Sequence, residues 1–196
     1  LVRHGQTEFN VQKRVQGMAD SALTPKGIAD AKALGQGFKT KNIHFDAAFA
    51  SDLTRAVDTA HFVLSGLDEQ IPVTTLMGLR EENYGKFEGQ LANDFSLATM
   101  GIANFHDALA NQEITLAQTA DEAFTANMDQ HPNKAETNRM VQERLNRTLR
   151  AIAVEAVAKD WERVFVVSHG TAALMWLNYV HYNIDGREML DNASVT

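Results

Sequence analysis

Two His-Gly pairs stand directly after strand-like runs. Arg3-His4-Gly5 follows Leu1-Val2, and Ser168-His169-Gly170 follows the β-branched and aromatic run 163–167. Two further short apolar runs, 45–50 and 73–79, end on Ser51-Asp52, with Arg55 one helical turn on, and on Arg80-Glu81-Glu82. In an open α/β sheet, ligands bind just beyond the carboxyl ends of the strands. Four strand ends would therefore deliver two His, at least two Arg and a carboxylate to one crevice. Arginine guanidinium forks match phosphate oxygens. A histidine serves as nucleophile or proton carrier near neutral pH. A pocketed glutamate with a raised pKa acts as general acid. Phosphoryl transfer needs little beyond positioning and positive charge on the equatorial oxygens.

The elements that must position this set alternate. Thr24-Pro25 opens a helix, with Ile28, Ala31, Leu34 and Phe38 at helical spacing. Asp52 is placed to cap a second helix carrying Ala56, Ala60 and Val63 or Leu64 on one face. A long helix with Val141, Leu145, Leu149, Ile152 and Ala156 in its apolar stripe precedes the run 163–168, and another helix covers about 171–180. Strands alternating with helices predict an α/β fold, a three-layer α/β/α sandwich around a largely parallel sheet, as a single domain over residues 1–196. Residues 87–133 break the alternation and are predicted as a helical insert, a cap over the site. The chain opens on Leu1-Val2 with no Met and stops at Val195-Thr196 as if entering a strand, so residues are expected on both sides.

Composition narrows the chemistry. The 196 residues contain no cysteine, which removes thiol nucleophiles, disulfides and zinc ribbons. A net charge of −7 argues against nucleic acid and anionic membranes as partners, and no apolar run approaches the ~20 residues of a bilayer span. A reducing, cytoplasmic setting fits. Phosphate-binding Gly-rich loops, the G-x-S-x-G elbow and H-E-x-x-H are missing. No metal and no cofactor are expected, since the histidines neighbour arginines rather than carboxylates at ligand spacing.

The ordered motifs together resemble the histidine phosphatase superfamily, in its phosphoglycerate mutase-like branch. They are Leu1-Val-Arg-His-Gly-Gln-Thr7; Gln16-Gly17 with Asp20, Leu23-Thr24 and Gly27; Ser51-Asp-Leu-Thr-Arg55-Ala56 with Thr59-Ala60; Leu79-Arg80-Glu81 with Gly85 and Glu88-Gly89; Ala135-Glu136-Thr137; and Val166-Val-Ser-His-Gly170. The resemblance implies that His4 attacks phosphorus and becomes a phosphohistidine. Arg3, Arg55 and His169 would hold the phosphoryl oxygens, with Asn10 and the Gly170 N–H donating to them and Gln16 and Gly17 at the substrate. Glu81 would protonate the leaving oxygen and then activate water. Departures are small: Gln6 where Glu is commoner, and Ala135 where Gly is usual.

Phosphatases and mutases share this core, and the insert is expected to separate them. Residues 87–133 hold seven acidic residues and no Lys or Arg, while the remainder is formally neutral. Such a cap should repel a substrate bringing a second anion. Phe95, Leu97, Met100, Ile102, Phe105 and Phe124 would line a less polar pocket. The expectation is a metal-independent phosphatase acting on a small phosphorylated metabolite. The alternatives are a cofactor-dependent phosphoglycerate mutase and a non-catalytic phosphate-binding module. A second copy of the chain, as a homodimer, is the one protein partner the resemblance admits.

Overall fold

The computed structural model describes residues 1–181 and 191–194. Four parallel strands form one sheet in the order β1-β4-β2-β3, where β1 is Val2–Arg3, β2 Ala47–Ala50, β3 Val73–Thr75 and β4 Val164–Ser168. Pairing in β1–β4 sets Val2 opposite Val167 and Arg3 opposite Ser168, so the two His-Gly turns leave the sheet side by side. The expected run 73–79 is a strand only to Thr75. It then turns through a 3₁₀ helix at Met77–Leu79, after which come Arg80 and Glu81. The strand start expected at Val195-Thr196 lies outside the described residues.

Alternation along the strands builds the three layers. Ala48, Ala50, Phe165 and Val167 face Ala31 of α2 (Pro25–Thr40) and Ala56, Ala60, Val63 and Leu64 of α3 (Thr54–Leu67). Ala47, Phe49 and Val166 face Val141, Leu145 and Ile152 of α7 (Asn138–Ala158) and Ala172 and Met175 of α8 (Gly170–Tyr179). The short α1 (Glu8–Val11) opens with Thr7 as a capping box. In helix α2 the expected Ala31 is buried and Leu34 and Phe38 pack half-buried against the core, while its fully buried line is Gly27, Ala31 and Gly35. A Cβ on Gly35 would sit 2.0 Å from the Val63 carbonyl oxygen, so glycine lets α2 and α3 touch backbone to backbone.

Asp52 does not cap α3. That helix starts after Leu53, which makes no side-chain cap, and Asp52 instead grips Arg80 through both carboxylate oxygens, 2.6 Å to Nε and 2.5 Å to an Nη. The cap comes from another loop: Asp20 Oδ2 accepts the Thr54 N–H at 2.6 Å. A bidentate arginine fork outcompetes a single cap bond for the same carboxylate.

Residues 87–133 carry the helices α4 (Ala92–Met100), α5 (Phe105–Ala110) and α6 (Leu116–Ala126). They pack through Phe87, Phe95, Phe105 and Ala123 against Val15 and Tyr84 of the main body. Among the described residues, no helix is long and apolar enough to cross a membrane.

Candidate active site

His4 leaves β1 with its N–H bonded to the Ser168 carbonyl at 3.1 Å, and its ring is buried. Nδ1 lies 2.8 Å from the Gly5 carbonyl oxygen. A carbonyl only accepts, so Nδ1 carries the hydrogen and Nε2 keeps the lone pair. Nε2 in turn accepts the Arg55 Nε–H at 3.3 Å. Burial, then Arg55, then Arg3 hold the imidazole well below its ordinary range, so His4 is neutral and of fixed tautomer. His169 lies edge-on to His4 with ring centroids 5.1 Å apart. It is fully buried, and neither ring nitrogen bonds to the protein; burial and Arg55 push its pKa well down too. Polar nitrogens buried in this way belong against a polar ligand.

Arg55 is fully buried one turn into α3. Its two Nη groups donate to the carbonyls of Ala19 (3.0 Å), Gln16 (3.3 Å) and Gly17 (2.8 Å) and to Asp20 Oδ1 (3.0 Å). Thr59 steadies the other side, donating to the Arg55 carbonyl and accepting the Gly5 N–H at 2.9 Å. The carbonyl-lined loop is itself held by Glu88. Its carboxylate accepts the N–H groups of Gly17, Met18, Ala19 and Tyr84 at 2.8–3.0 Å. Gly17 therefore lies behind Arg55 rather than on the cavity surface. A Cβ there would meet the Glu82 carbonyl oxygen at 2.0 Å.

Glu81 sits at the start of α8, buried, with Oε1 accepting the N–H of Ala172 (2.7 Å) and of Glu82 (3.1 Å) and Oε2 that of Thr171 (3.1 Å). Burial raises its pKa against these backbone donors and the Arg55 charge. The segment carrying it is clamped by Arg144, which donates to the carbonyls of Gly78, Arg80 and Glu81 while paired with Glu136 at 2.8 Å. Gly170 opens α8 and packs against the Arg3 side chain.

Arg3, His4, Asn10, Gln16 and Glu81 share one cavity of about 280 Å³. Asn10 Oδ1 accepts the Thr7 N–H and Asn192 Nδ2. Gln16 Oε1 accepts the Thr7 hydroxyl at 2.7 Å. Arg55 and His169, fully buried, lie at the floor against His4. Among the described residues, no group of three or more His, Asp or Glu is arranged to hold a metal ion.

A family model described as histidine phosphatase superfamily (branch 1) matches residues 1–196. The chain belongs to the histidine phosphatase superfamily. A crystal structure of phosphoglycerate mutase from Bacillus anthracis superposes with a TM-score of 0.86 at 30% identity, covering 100% of this chain and 84% of that one. Among curated relatives, a 2,3-bisphosphoglycerate-dependent phosphoglycerate mutase of Lactiplantibacillus plantarum is 44% identical over 90 residues, 45% of this chain. A broad-specificity phosphatase of Saccharomyces cerevisiae is 41% identical over a stretch of the same length. The matched stretch spans 39% of the length of each of these two relatives.

One expectation about this member of the histidine phosphatase superfamily is corrected by the cavity. The acidic side chains of the insert do not line it. Asp94, Asp107, Glu113, Asp121, Glu122 and Asp129 are exposed, and Glu88 binds backbone. The insert contributes Ala92, Phe95, Phe105 and His106 to the cavity wall, and among the described residues Glu81 is the only carboxylate lining it. Lys13 and Arg14, from outside the insert, line it too. Of the apolar residues expected in the pocket, Phe95 and Phe105 are there. Met100 and Ile102 line a separate surface cavity of about 400 Å³, and Leu97 is 57% exposed. Sequence reasoning assigned no role to Asp20, Glu88, Glu136 or Arg144. The first three stood in recognised motifs, but only contacts across the fold assign what each one holds.

Proposed function

We propose that this chain is a phosphomonoester hydrolase that works through a phosphohistidine on His4. The observation that carries the reading is the state of His4: buried, neutral, Nδ1–H held by Gly5, and Nε2 lone pair on the Arg55 side of the cavity. An imidazole in that state is a nucleophile at neutral pH, and the two arginines that keep it deprotonated attract the anion it attacks.

The steps follow from the residues. Nε2 forms a bond to phosphorus as the ester P–O bond breaks. Arg3, Arg55 and His169 stabilise the three equatorial oxygens. Glu81, whose proton affinity burial raises, enters this step as the acid and gives its proton to the departing oxygen. The resulting carboxylate takes a proton from water as that water attacks the phosphohistidine. Inorganic phosphate leaves, and neutral His4 and protonated Glu81 return. The leaving group would rest against Ala92, Phe95 and Phe105, with α4 and α5 as the cap.

A mutase reading is favoured by one observation, the two basic residues Lys13 and Arg14 on the cavity wall. Hydrolysis of p-nitrophenyl phosphate with EDTA present, lost in His4→Ala, supports the hydrolase. Efficient exchange of 3- and 2-phosphoglycerate by the purified protein, with little phosphate release, would replace it by the mutase.

A further inference from the structure

A separate piece of chain meets the cavity beside the nucleophile. The turn at residues 191–194, closed by the Ser194 N–H on the Asp191 carbonyl (3.1 Å), lies against the end of β1. Arg3 N–H donates to the Ser194 carbonyl (3.2 Å), and Ala193 N–H is shared between the carbonyls of Arg3 (3.2 Å) and His4 (3.3 Å). Ala193 holds a left-handed backbone, φ 57°, which a residue with a Cβ adopts only where its surroundings require it. From this turn Asn192 joins the cavity wall. Its Nδ2 lies 3.2 Å from the His4 carbonyl oxygen and 3.2 Å from Asn10 Oδ1.

These contacts fix both amides. A carbonyl only accepts, so the Asn192 atom beside His4 is its nitrogen. The Thr7 backbone N–H only donates, so the Asn10 atom 3.1 Å from it is the oxygen. The Asn10 oxygen therefore takes two donors, while its Nδ2 has one long contact, 3.5 Å to Gln16 Oε1. That Gln16 oxygen is already engaged by the Thr7 hydroxyl at 2.7 Å. The Asn10 NH2 is thus the part of the amide available to an anion in the cavity it shares with Arg3 and His4.

We propose that Asn192 is a positioning residue for phosphoryl transfer: it pins the Asn10 oxygen so that the Asn10 NH2 donates to a phosphoryl oxygen. This rests on the reading that the phosphoryl group is held at His4. What each acceptor retains without Asn192 shows which of its two bonds matters. The His4 carbonyl keeps the Ala193 N–H when the Asn192 side chain is removed. Asn10 Oδ1 keeps a single bond, to Thr7, and one bond lets the amide swing about its broad terminal torsion. Asn192 therefore acts through Asn10 and needs no contact with substrate.

A double-mutant cycle tests this, read as the Kd of inorganic phosphate by calorimetry, so that no turnover is needed. Asn10→Ala should weaken phosphate about 10-fold or more, the loss of a charge-assisted hydrogen bond. Asn192→Ala should weaken it about 5-fold. In Asn10→Ala protein, adding Asn192→Ala should change Kd by less than about 2-fold, because the amide it positions is gone. Asn192→Leu, which fills the same space without a donor, should repeat the Asn192→Ala result, with thermal melting confirming that each variant is folded. A role confined to bracing the turn would lower the melting temperature without coupling to Asn10, and overturns the proposal. So does a Kd unchanged in both Asn192 variants, or losses that multiply in the double variant. Failure of the underlying reading looks different. Phosphate that does not bind the wild type, or binds Asn10→Ala as tightly, removes the phosphoryl site at His4 and Asn10 and the positioning role with it. Wild-type turnover of p-nitrophenyl phosphate is scored separately. Coupling without phosphate release keeps the positioning role and removes the hydrolase; phosphate release without coupling does the reverse.

Discussion

Glu88→Gln tests whether the phosphoryl site is assembled by a half-buried anion that never touches substrate. The carboxylate accepts four backbone N–H groups, Met18 and Tyr84 on Oε1 and Gly17 and Ala19 on Oε2. Glutamine is the same shape but has one accepting oxygen and one donating nitrogen. Whichever way the amide turns, two of the four N–H groups face a donor. At about 1.5–2 kcal/mol for each charge-assisted bond, two lost bonds come to about 3–4 kcal/mol, before counting the weakening of the two that remain. For a domain of this size that is roughly 6–16 °C in melting temperature. The functional effect travels through the same loop. Gln16, Gly17 and Ala19 aim their carbonyls at Arg55, so a loosened loop frees the guanidinium that orients the phosphoryl group. Urea denaturation gives the first quantity, and competitive inhibition by inorganic phosphate gives the second, expected to weaken about 10-fold or more. A variant within about 1 kcal/mol of wild type, or one that is destabilised yet binds phosphate as before, would refute the reasoning.

Glu81→Gln should cut turnover by about 10²–10⁴-fold on alkyl phosphates, whose oxygen needs a proton to leave, and by much less on p-nitrophenyl phosphate; equal losses on both would remove Glu81 as the acid. Glu82 is wholly buried, and burial and the neighbouring Glu81 push its pKa well above 4.5. The folded state therefore holds this proton more tightly than the unfolded chain, and stability falls as pH rises from about 4.5 through the folded value. Glu82→Gln should raise the melting temperature at about pH 8 and lose that advantage toward about pH 4; parallel melting curves across that range would contradict this. His4 and His169 carry the opposite slope, since both pKa values are depressed from 6.5. Stability should drop as pH falls below about 6.5, and less so in His169→Gln, read from the same melts. Gly17→Ala should abolish phosphate binding through loss of the Arg55 loop, because its Cβ would overlap the Glu82 carbonyl; a folded Gly17→Ala protein with unchanged phosphate inhibition would exclude that.

Much of the site was legible before any coordinates. His4, Arg55, Glu81 and His169 were picked from their places after apolar runs, and the sheet does bring those turns together. The β-branched and aromatic run 163–168 and the stripe on the long helix likewise read through to the two core layers. Boundaries and partners did not. Asp52 looks like a helix cap in sequence because Asp before Leu-Thr is a local signal, whereas its Arg80 partner is brought in by the chain's return to the sheet edge. The small-residue face of α2 was missed because apolar periodicity counts side chains, and there the contact is between backbones.

The charge of the insert shows where sequence stops. Sequence alone determined that residues 87–133 carry seven acids and no Lys or Arg, and that the chain belongs to the histidine phosphatase superfamily. Only the tertiary structure decided which way those acids point. A helix buries its apolar stripe, so Phe95 and Phe105 turn toward the body and carry His106 with them. Asp94, Asp107, Asp121 and Glu122 turn to water, where a charge keeps its hydration. The field a substrate meets is set by the few side chains on the cavity wall, and here two of them, Lys13 and Arg14, arrive from a loop more than seventy residues upstream of the insert.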